Sequence, residues 1–152
     1  MHELDEKFMK EAYKEALLAF EENEVPIGAV LVNNKTHEIV ARAHNKKEKL
    51  NNIAAHAEIL CIQEAEKIEN NWRLENHTLY VTLEPCTMCA SAIIQSRISR
   101  VVFGLSEKET GGFGGKIDLT KTFPSLLVVE CFENQNDIKN IMQKFFKNKR
   151  NF

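Results

Sequence analysis

The sequence lacks the features that mark membrane, secreted and repeat proteins. None of its apolar runs is long enough to span a bilayer, and the acidic segment from Met1 to Glu6 has no apolar signal core. Its 4 cysteines do not suggest a disulfide framework, and no repeat, linker or low-complexity segment divides its 152 residues. We therefore expect a single globular domain, residues 1–152, in a reducing cytoplasm.

A strong charge of either sign is also missing. The net charge of −2 argues against a protein that coats nucleic acid indiscriminately, although it permits a local basic patch. Two such patches occur. One follows Asn45 and the other lies near the C-terminus, and their residues are Lys46, Lys47 and Lys49, and Lys144, Lys147, Lys149 and Arg150.

Two short motifs carry the candidate chemistry of the chain. His56 and Glu58 form an H-x-E motif, and Pro85 is followed by Cys86 and Cys89 in a P-C-x-x-C motif. One imidazole and two thiolates are a known ligand set for catalytic zinc, which leaves its fourth position for water. We predict that the second motif opens a helix with Pro85 at the first helical position. The pair of motifs resembles the signature of zinc-dependent deaminases, in which the glutamate moves protons.

A structural zinc or a redox cysteine pair is the alternative for these motifs. A structural site needs a fourth ligand, and several other residues could in principle supply one: His37, His44, His77, Cys61 and Cys131. None of them has clear ligand spacing, and Cys61 fits better as a small core residue. A structural site also has no use for Glu58.

Hydrophobic periodicity predicts alternating helices and strands. The expected helices and strands follow the order αββαβαβ(β)α, which predicts a mixed sheet with helices on both faces. Four glycines between residues 111 and 115 predict a flexible loop. The expected helices are 4–20, 55–68, 85–96 and 137–147, and the expected strands are 25–32, 38–43, 78–83, 100–104 and 126–132.

Longer segments are similar to bacterial tRNA adenosine deaminases. The resemblance runs from about Phe8 to Arg150 and includes Val25–Val30, Leu79–Cys89 and Arg97–Gly104. It implies the cytidine deaminase-like three-layer α/β/α fold with a central mixed five-stranded sheet. It also implies a homodimer, for which the small residues Ala90, Ser91 and Ala92 would allow close approach, and conversion of the anticodon wobble adenosine to inosine.

The resemblance also assigns roles to individual residues. His56, Cys86 and Cys89 would bind one Zn²⁺, and Glu58 would be the general acid and base. Asn45 would contact the flipped nucleoside, although an Asx turn is the plain structural alternative. The backbone N–H of Ala57 would contact the base. From the two basic patches, we expect contacts with the tRNA anticodon stem-loop at Lys46, Lys47, Lys147, Lys149 and Arg150.

Two segments depart from the pattern of that family. Asn52-Ile53-Ala54 replaces Asp-Pro-Thr, which removes a rigid turn before His56. Glu109 stands where the family often has lysine, so that a phosphate contact there would fall to Lys108.

A small-molecule deaminase of the same fold, acting on guanine or cytosine, is the main competing function. The metal motif does not separate the two, whereas the basic patches favour an RNA substrate because a free base has no phosphates. A non-catalytic RNA-binding module with a structural zinc is the second competitor.

Overall fold

The computed structural model describes residues 3–132 and 135–150, and for Arg150 it describes only the backbone. Within these residues five strands alternate with five helices. They are α1 (Glu3–Glu21), β1 (Gly28–Asn33), β2 (Glu38–His44), α2 (Ala57–Glu69), β3 (His77–Val81), α3 (Thr87–Gln95), β4 (Arg100–Phe103), α4 (Leu119–Thr122), β5 (Val128–Cys131) and α5 (Asn136–Arg150). No described helix is both long enough and apolar enough to cross a membrane.

The five strands form one mixed sheet in the order β2-β1-β3-β4-β5. β1 runs antiparallel to both of its neighbours, whereas β3, β4 and β5 are parallel. Because side chains alternate along a strand, Leu31 and Leu79 pack on the face covered by α2 and α3. Val30 and Tyr80 pack on the other face with Phe8 of α1. The predicted three-layer α/β/α architecture with a central mixed five-stranded sheet is therefore confirmed.

Helix α1 packs unusually close to the sheet at Gly28. A Cβ atom at this position would lie 2.1 Å from the carbonyl oxygen of Ala12 and 2.4 Å from the backbone nitrogen of Ala16. Both alanines are fully buried. The small residues on both sides of this contact therefore let the backbone of α1 approach β1 directly.

Several predicted boundaries were wrong by a few residues. The first strand begins at Gly28 rather than Val25, because the N–H of Ile27 turns back to the carbonyl of Val25, at 2.8 Å. The third ends at Val81, and the last spans only Val128–Cys131. The short helix α4, which periodicity could not reveal, is capped by Asp118.

The ends of β2 and β3 and the start of β1 lie at the same edge of the sheet. The end of β2 pairs with the start of β1, Gly28 opposite His44, and the start of β1 pairs with the end of β3, Ala29 opposite Val81. The chain leaves this edge toward both α2 and α3. The segments that carry the two motifs therefore meet there.

A buried ion pair fastens α1 to the parallel half of the sheet. The side chain of Asp5 is fully buried and accepts two hydrogen bonds from the Arg100 guanidinium, at 2.8 and 2.9 Å. Tyr80 donates its hydroxyl to the same carboxylate at 2.6 Å, and Arg100 also pairs with Glu130. This network joins the first helix to β3, β4 and β5.

Replacing Asp5 with Ala should therefore lower the free energy of unfolding by about 3 kcal/mol, because Arg100 loses its buried partner. Urea denaturation measures the change. Glu6→Ala is the control, since the pair that Glu6 makes with Lys10 is exposed, and its effect should stay below about 1 kcal/mol. Equal effects of the two substitutions would contradict the account.

Candidate functional site

Two helices begin at residues of the two motifs, and neither helix is capped by a side chain there. His56 is the N-cap of α2 and Cys86 is the N-cap of α3, both with extended backbone angles, and neither makes a side-chain cap hydrogen bond. Pro85 precedes the N-cap, so the prediction that it occupies the first helical position was wrong. Both N-cap side chains are left available for ligation.

The side chains of His56, Cys86 and Cys89, here called the ligand trio, converge on one point. Nδ1 of His56 lies 3.6 Å from Sγ of Cys86 and 3.5 Å from Sγ of Cys89, and the three ligand atoms all lie within 4.8 Å of one another. Tetrahedral zinc, with Zn–S bonds of about 2.3 Å and Zn–N bonds of about 2.0 Å, would hold sulfur and nitrogen about 3.5 Å apart. The trio therefore fits zinc in both donor type and spacing.

The surroundings favour the thiolate form of one cysteine before any cation binds. Hydrogen bonds from Cys89 and His56 lower the pKa of Cys86 to about 4. The same hydrogen bond, together with burial, raises the pKa of Cys89. The positive end of the α3 dipole adds to the stabilisation of negative charge at Cys86. Binding of a divalent cation would require the Cys89 thiol and Nδ1 of His56 to release their protons.

Glu58 lies in the first turn of α2, beside the ligand trio. Its side chain is buried, and burial raises its pKa to about 7. Its carboxylate is hydrogen-bonded to the thiol of Cys89. A carboxyl group that changes protonation near neutral pH is suited to both accepting and donating a proton.

The other histidines predicted as possible ligands lie elsewhere. His44 contacts Glu15 at 3.3 Å and Glu22 at 2.9 Å through its two ring nitrogens. His77 lies at the start of β3, on the opposite edge of the sheet, where Glu69 holds it at 3.0 Å. His37 is exposed in the turn between β1 and β2.

The remaining cysteines do not join the ligand trio either. Cys61 is buried in the core and contacts the carbonyl of Ala41 at 3.5 Å, and its burial raises the pKa of its thiol. Cys131 ends β5. Across residues 3–132 and 135–150, the trio is the only group of three or more ligand-type side chains spaced to hold a metal. A fourth protein ligand is thus absent from the described residues.

Asn45 makes the Asx turn that was its structural alternative, in the loop that leads to His56. Its Oδ1 accepts the backbone N–H of Lys47 at 3.1 Å, and its amide donates to the carbonyl of Val25 at 3.3 Å. The N–H of Lys46 donates to the carbonyl of Ala55 at 3.0 Å, which closes the loop directly before His56. Asn45 is therefore held near the ligand trio.

The segment that replaces Asp-Pro-Thr still forms a turn. The side chain of Asn52 accepts a hydrogen bond from the backbone N–H of Ala54 at 2.9 Å. The backbone carbonyl of Asn52 accepts one from the backbone N–H of Ala55 at 3.0 Å. An asparagine can build such a turn with its own side chain. The approach to His56 is thus ordered without the proline.

The two basic patches border a common cleft. Its lining includes Asn45 and Lys47 on one side and Phe146 and Lys149 of α5 on the other. Lys46 is half-buried, Lys147 is exposed on α5, and the side chain of Arg150 lies outside the described residues. Lys108 and Glu109 are exposed in the loop of residues 105–118 that follows β4, here called the glycine loop.

Sequence reasoning missed two buried carboxylates that organise the surrounding loops. Glu24 accepts the backbone N–H groups of Glu48 at 3.0 Å and Lys49 at 2.7 Å. It thereby fastens the loop of residues 45–49, here called the basic loop. Glu84 fastens the glycine loop. Only its position directly before Pro85 could have signalled a role for Glu84, and nothing in the sequence marks Glu24.

Loss of one trio ligand should release zinc. We expect protein purified without added metal to contain about one zinc per chain, and Cys86→Ala to contain far less, because two ligands hold zinc poorly. Elemental analysis makes the measurement. Cys61→Ala is the matched control and should keep its zinc. Full zinc retention in Cys86→Ala would contradict the assignment.

Comparison with known proteins agrees with this site. The chain matches the cytidine and deoxycytidylate deaminase zinc-binding region over residues 2–105. The tRNA-specific adenosine deaminase of Bacillus subtilis (strain 168) is 52% identical over 134 residues, which cover 88% of this chain and 78% of the relative. The tRNA-specific adenosine deaminase of Streptococcus pyogenes serotype M1 is 42% identical over 145 residues, covering 94% and 84% of the two chains.

Solved structures agree with the sequence relatives. A structure from a study of A-to-I editing by tRNA:A34 deaminases at the wobble position has a TM-score of 0.76 and 39% identity, and it covers 83% of this chain and 97% of that chain. Guanine deaminase from Nitrosomonas europaea has a TM-score of 0.80 at 17% identity, covering 91% and 82%, and this likeness shows the fold alone. The predicted family is confirmed: the chain belongs to the tRNA-specific adenosine deaminases, whose domain is a zinc-binding deaminase domain.

Proposed function

We propose that this protein is a zinc-dependent hydrolase that converts adenosine to inosine at the wobble position of the tRNA anticodon. The observation that carries the proposal is the 52% identity, over most of both chains, to a relative named as a tRNA-specific adenosine deaminase. The site supports it, because the ligand trio and a buried carboxyl group provide what hydrolytic deamination needs.

In this proposal the ligand trio binds one Zn²⁺. When bound, zinc lowers the pKa of a water molecule toward neutrality and so makes hydroxide available. Glu58 would take a proton from this water and pass it to the ring nitrogen of adenine, which would make the ring electrophilic. The carbon that bears the amino group would then gain a hydroxyl group. Glu58 would take the proton of that hydroxyl group and pass it to the leaving amine, so that the carbonyl group of inosine forms and ammonia departs.

Two further groups at this edge of the sheet can hold the base. Ala57 is the first residue of α2, and first-turn N–H groups have no partner within a helix. The backbone N–H of Ala57 can therefore donate a hydrogen bond to the substrate. Asn45 uses one N–H and one lone pair of its amide for Val25 and Lys47, and the second N–H and lone pair remain for a nucleoside.

The Glu58→Ala variant tests the proton-transfer step. It should fold and retain zinc, because Glu58 is not among the proposed ligands. Its rate of inosine formation in an anticodon stem-loop should fall by a factor of about 10²–10⁴ or more. Single-turnover assays with zinc analysis of the same sample measure both properties. Near-normal turnover in this variant would exclude the assigned role.

We also propose that tRNA lies along the cleft between the basic loop and α5. The lining of the cleft includes the proposed substrate residue Asn45, Phe146, which is partly exposed, and three lysines beside the carboxylates of Glu22 and Glu48: Lys47, Lys49 and Lys149. Lysines contact phosphates and aromatic side chains can stack on bases. Lys46, Lys147 and Arg150 belong to the same proposed surface on the strength of their positions in the sequence.

Replacing Lys147, Lys149 and Arg150 together with Ala should weaken stem-loop binding. It should also flatten the dependence of log K on log salt by about one unit for each lost phosphate contact. Binding titrations at several salt concentrations measure the slope. The control carries the same charge change on exposed lysines outside the cleft: Lys10, Lys35 and Lys67. Equal slopes for the parent and the cleft variant would contradict the proposed surface.

A homodimer in the cytoplasm is the final part of the proposal. A groove between α2 and α3 is lined by apolar side chains that include Ile59, Ile62 and Met88, and Trp72 beside it is half exposed. Such a surface suits a protein interface. The supporting role predicted for Ala90 was wrong, because Ala90 is fully buried within the chain itself, whereas Ser91 and Ala92 do line the groove.

A further inference from the structure

The glycine loop that follows β4, residues 105–118, packs against the turn that carries Cys86. The N–H of Gly112 donates to the carbonyl of Pro85 at 2.9 Å, and Gly111 forms an isolated antiparallel bridge with Cys86. Phe113 is buried in the core cluster that also contains Ala90 and Ile93 of α3. The loop therefore packs against the first turn of α3.

The carboxylate of Glu84 holds this loop in place. It is almost completely buried, with 3% of the residue exposed. One oxygen accepts the backbone N–H of Glu107 at 3.0 Å, and the other accepts those of Phe113 at 3.0 Å and Gly115 at 2.9 Å. The N–H of Glu84 itself donates to Leu105 at 2.7 Å. Three backbone donors of an irregular segment thus share one acceptor group, and N–H groups aimed at a carboxylate form strong hydrogen bonds.

Gly111 and Gly115 leave room for this carboxylate and for the carbonyl oxygen of Glu107, and Gly112 leaves room for α3. A Cβ atom at Gly111 would lie 2.2 Å from one oxygen of Glu84, and one at Gly115 would lie 2.7 Å from the other. At Gly112, a Cβ atom would lie 2.7 Å from the Cβ of Ala90 and 3.2 Å from the carbonyl oxygen of Cys86. The loop that we predicted to be flexible is therefore wrapped tightly around Glu84 and pressed on α3.

We propose that Glu84 is a positioning residue for the metal centre. It acts through the glycine loop, which fixes the backbone of Pro85 and Cys86 and so holds the Cys86 thiolate in its ligating position. The inference rests on the proposed zinc site and does not depend on the substrate. Groups that orient metal ligands from outside the ligand set typically change metal affinity by about 10–100-fold when they are mutated.

The substitution Glu84→Gln in the zinc-loaded protein tests this role. The amide keeps the size of the side chain but replaces one acceptor oxygen with a donor that faces backbone N–H groups. Hydrogen exchange at Glu107, Phe113 and Gly115 should rise at least about tenfold, and zinc release into excess chelator should accelerate by about 10–100-fold. Exchange within β3 and β4 should stay unchanged. The exposed Glu75→Gln is the matched control and should match the parent protein in every measurement.

A second variant tests the contact between the loop and α3 without altering the carboxylate. Gly112→Ala places a methyl group against Ala90 and Cys86, and so should also accelerate zinc release. Unchanged zinc release in both variants would overturn the proposal. An equal rise of exchange in the loop and in β3 and β4 of Glu84→Gln would overturn it as well, because Glu84 would then only stabilise the fold. Since zinc release involves no RNA, these results are independent of whether the protein deaminates tRNA.

Discussion

The approach of two helix N-termini at one edge of the sheet is the constraint on which the rest of the site depends. Strand order creates it: β1 lies between β2 and β3, so the chain segments leaving β2 and β3 start from the same edge. Each of the two helices begins with a ligand-type side chain at its N-cap, His56 in α2 and Cys86 in α3. Both helices give up a side-chain cap, which ordinarily contributes about 1 kcal/mol. Because neither side chain is used as a cap, His56 and Cys86 can converge with Cys89 to form the ligand trio.

Glu24, Glu58 and Glu84 are buried carboxylates near this edge, and their hydrogen bonds give them different tasks. Glu24 and Glu84 direct both of their oxygens at backbone N–H groups, so each fastens a loop. Glu58 contacts the thiol of Cys89, and burial raises its pKa to about 7. Burial by itself therefore does not identify an acid–base group.

Much of this organisation could be predicted from the sequence, because the strongest signals were local. The spacing of His56, Glu58, Cys86 and Cys89 identified the candidate site, and the resemblance to tRNA adenosine deaminases, now confirmed, supplied the fold. What failed depended on hydrogen bonds that hydrophobic periodicity does not reveal. The strand start at Gly28 is set by a backbone turn at Val25, and the anchoring of residues 107–115 by Glu84 joins segments that no periodicity connects.

The substrate is the central claim, and the fold alone does not decide it, since guanine deaminases share the fold at low sequence identity. The most direct measurement compares kcat/KM of the zinc-loaded protein on a purified anticodon stem-loop with adenosine at the wobble position, on free guanine and on free cytosine. The account predicts inosine at the wobble position and far slower release of ammonia from either free base. Efficient deamination of free guanine or cytosine, with no inosine in the stem-loop, would contradict it.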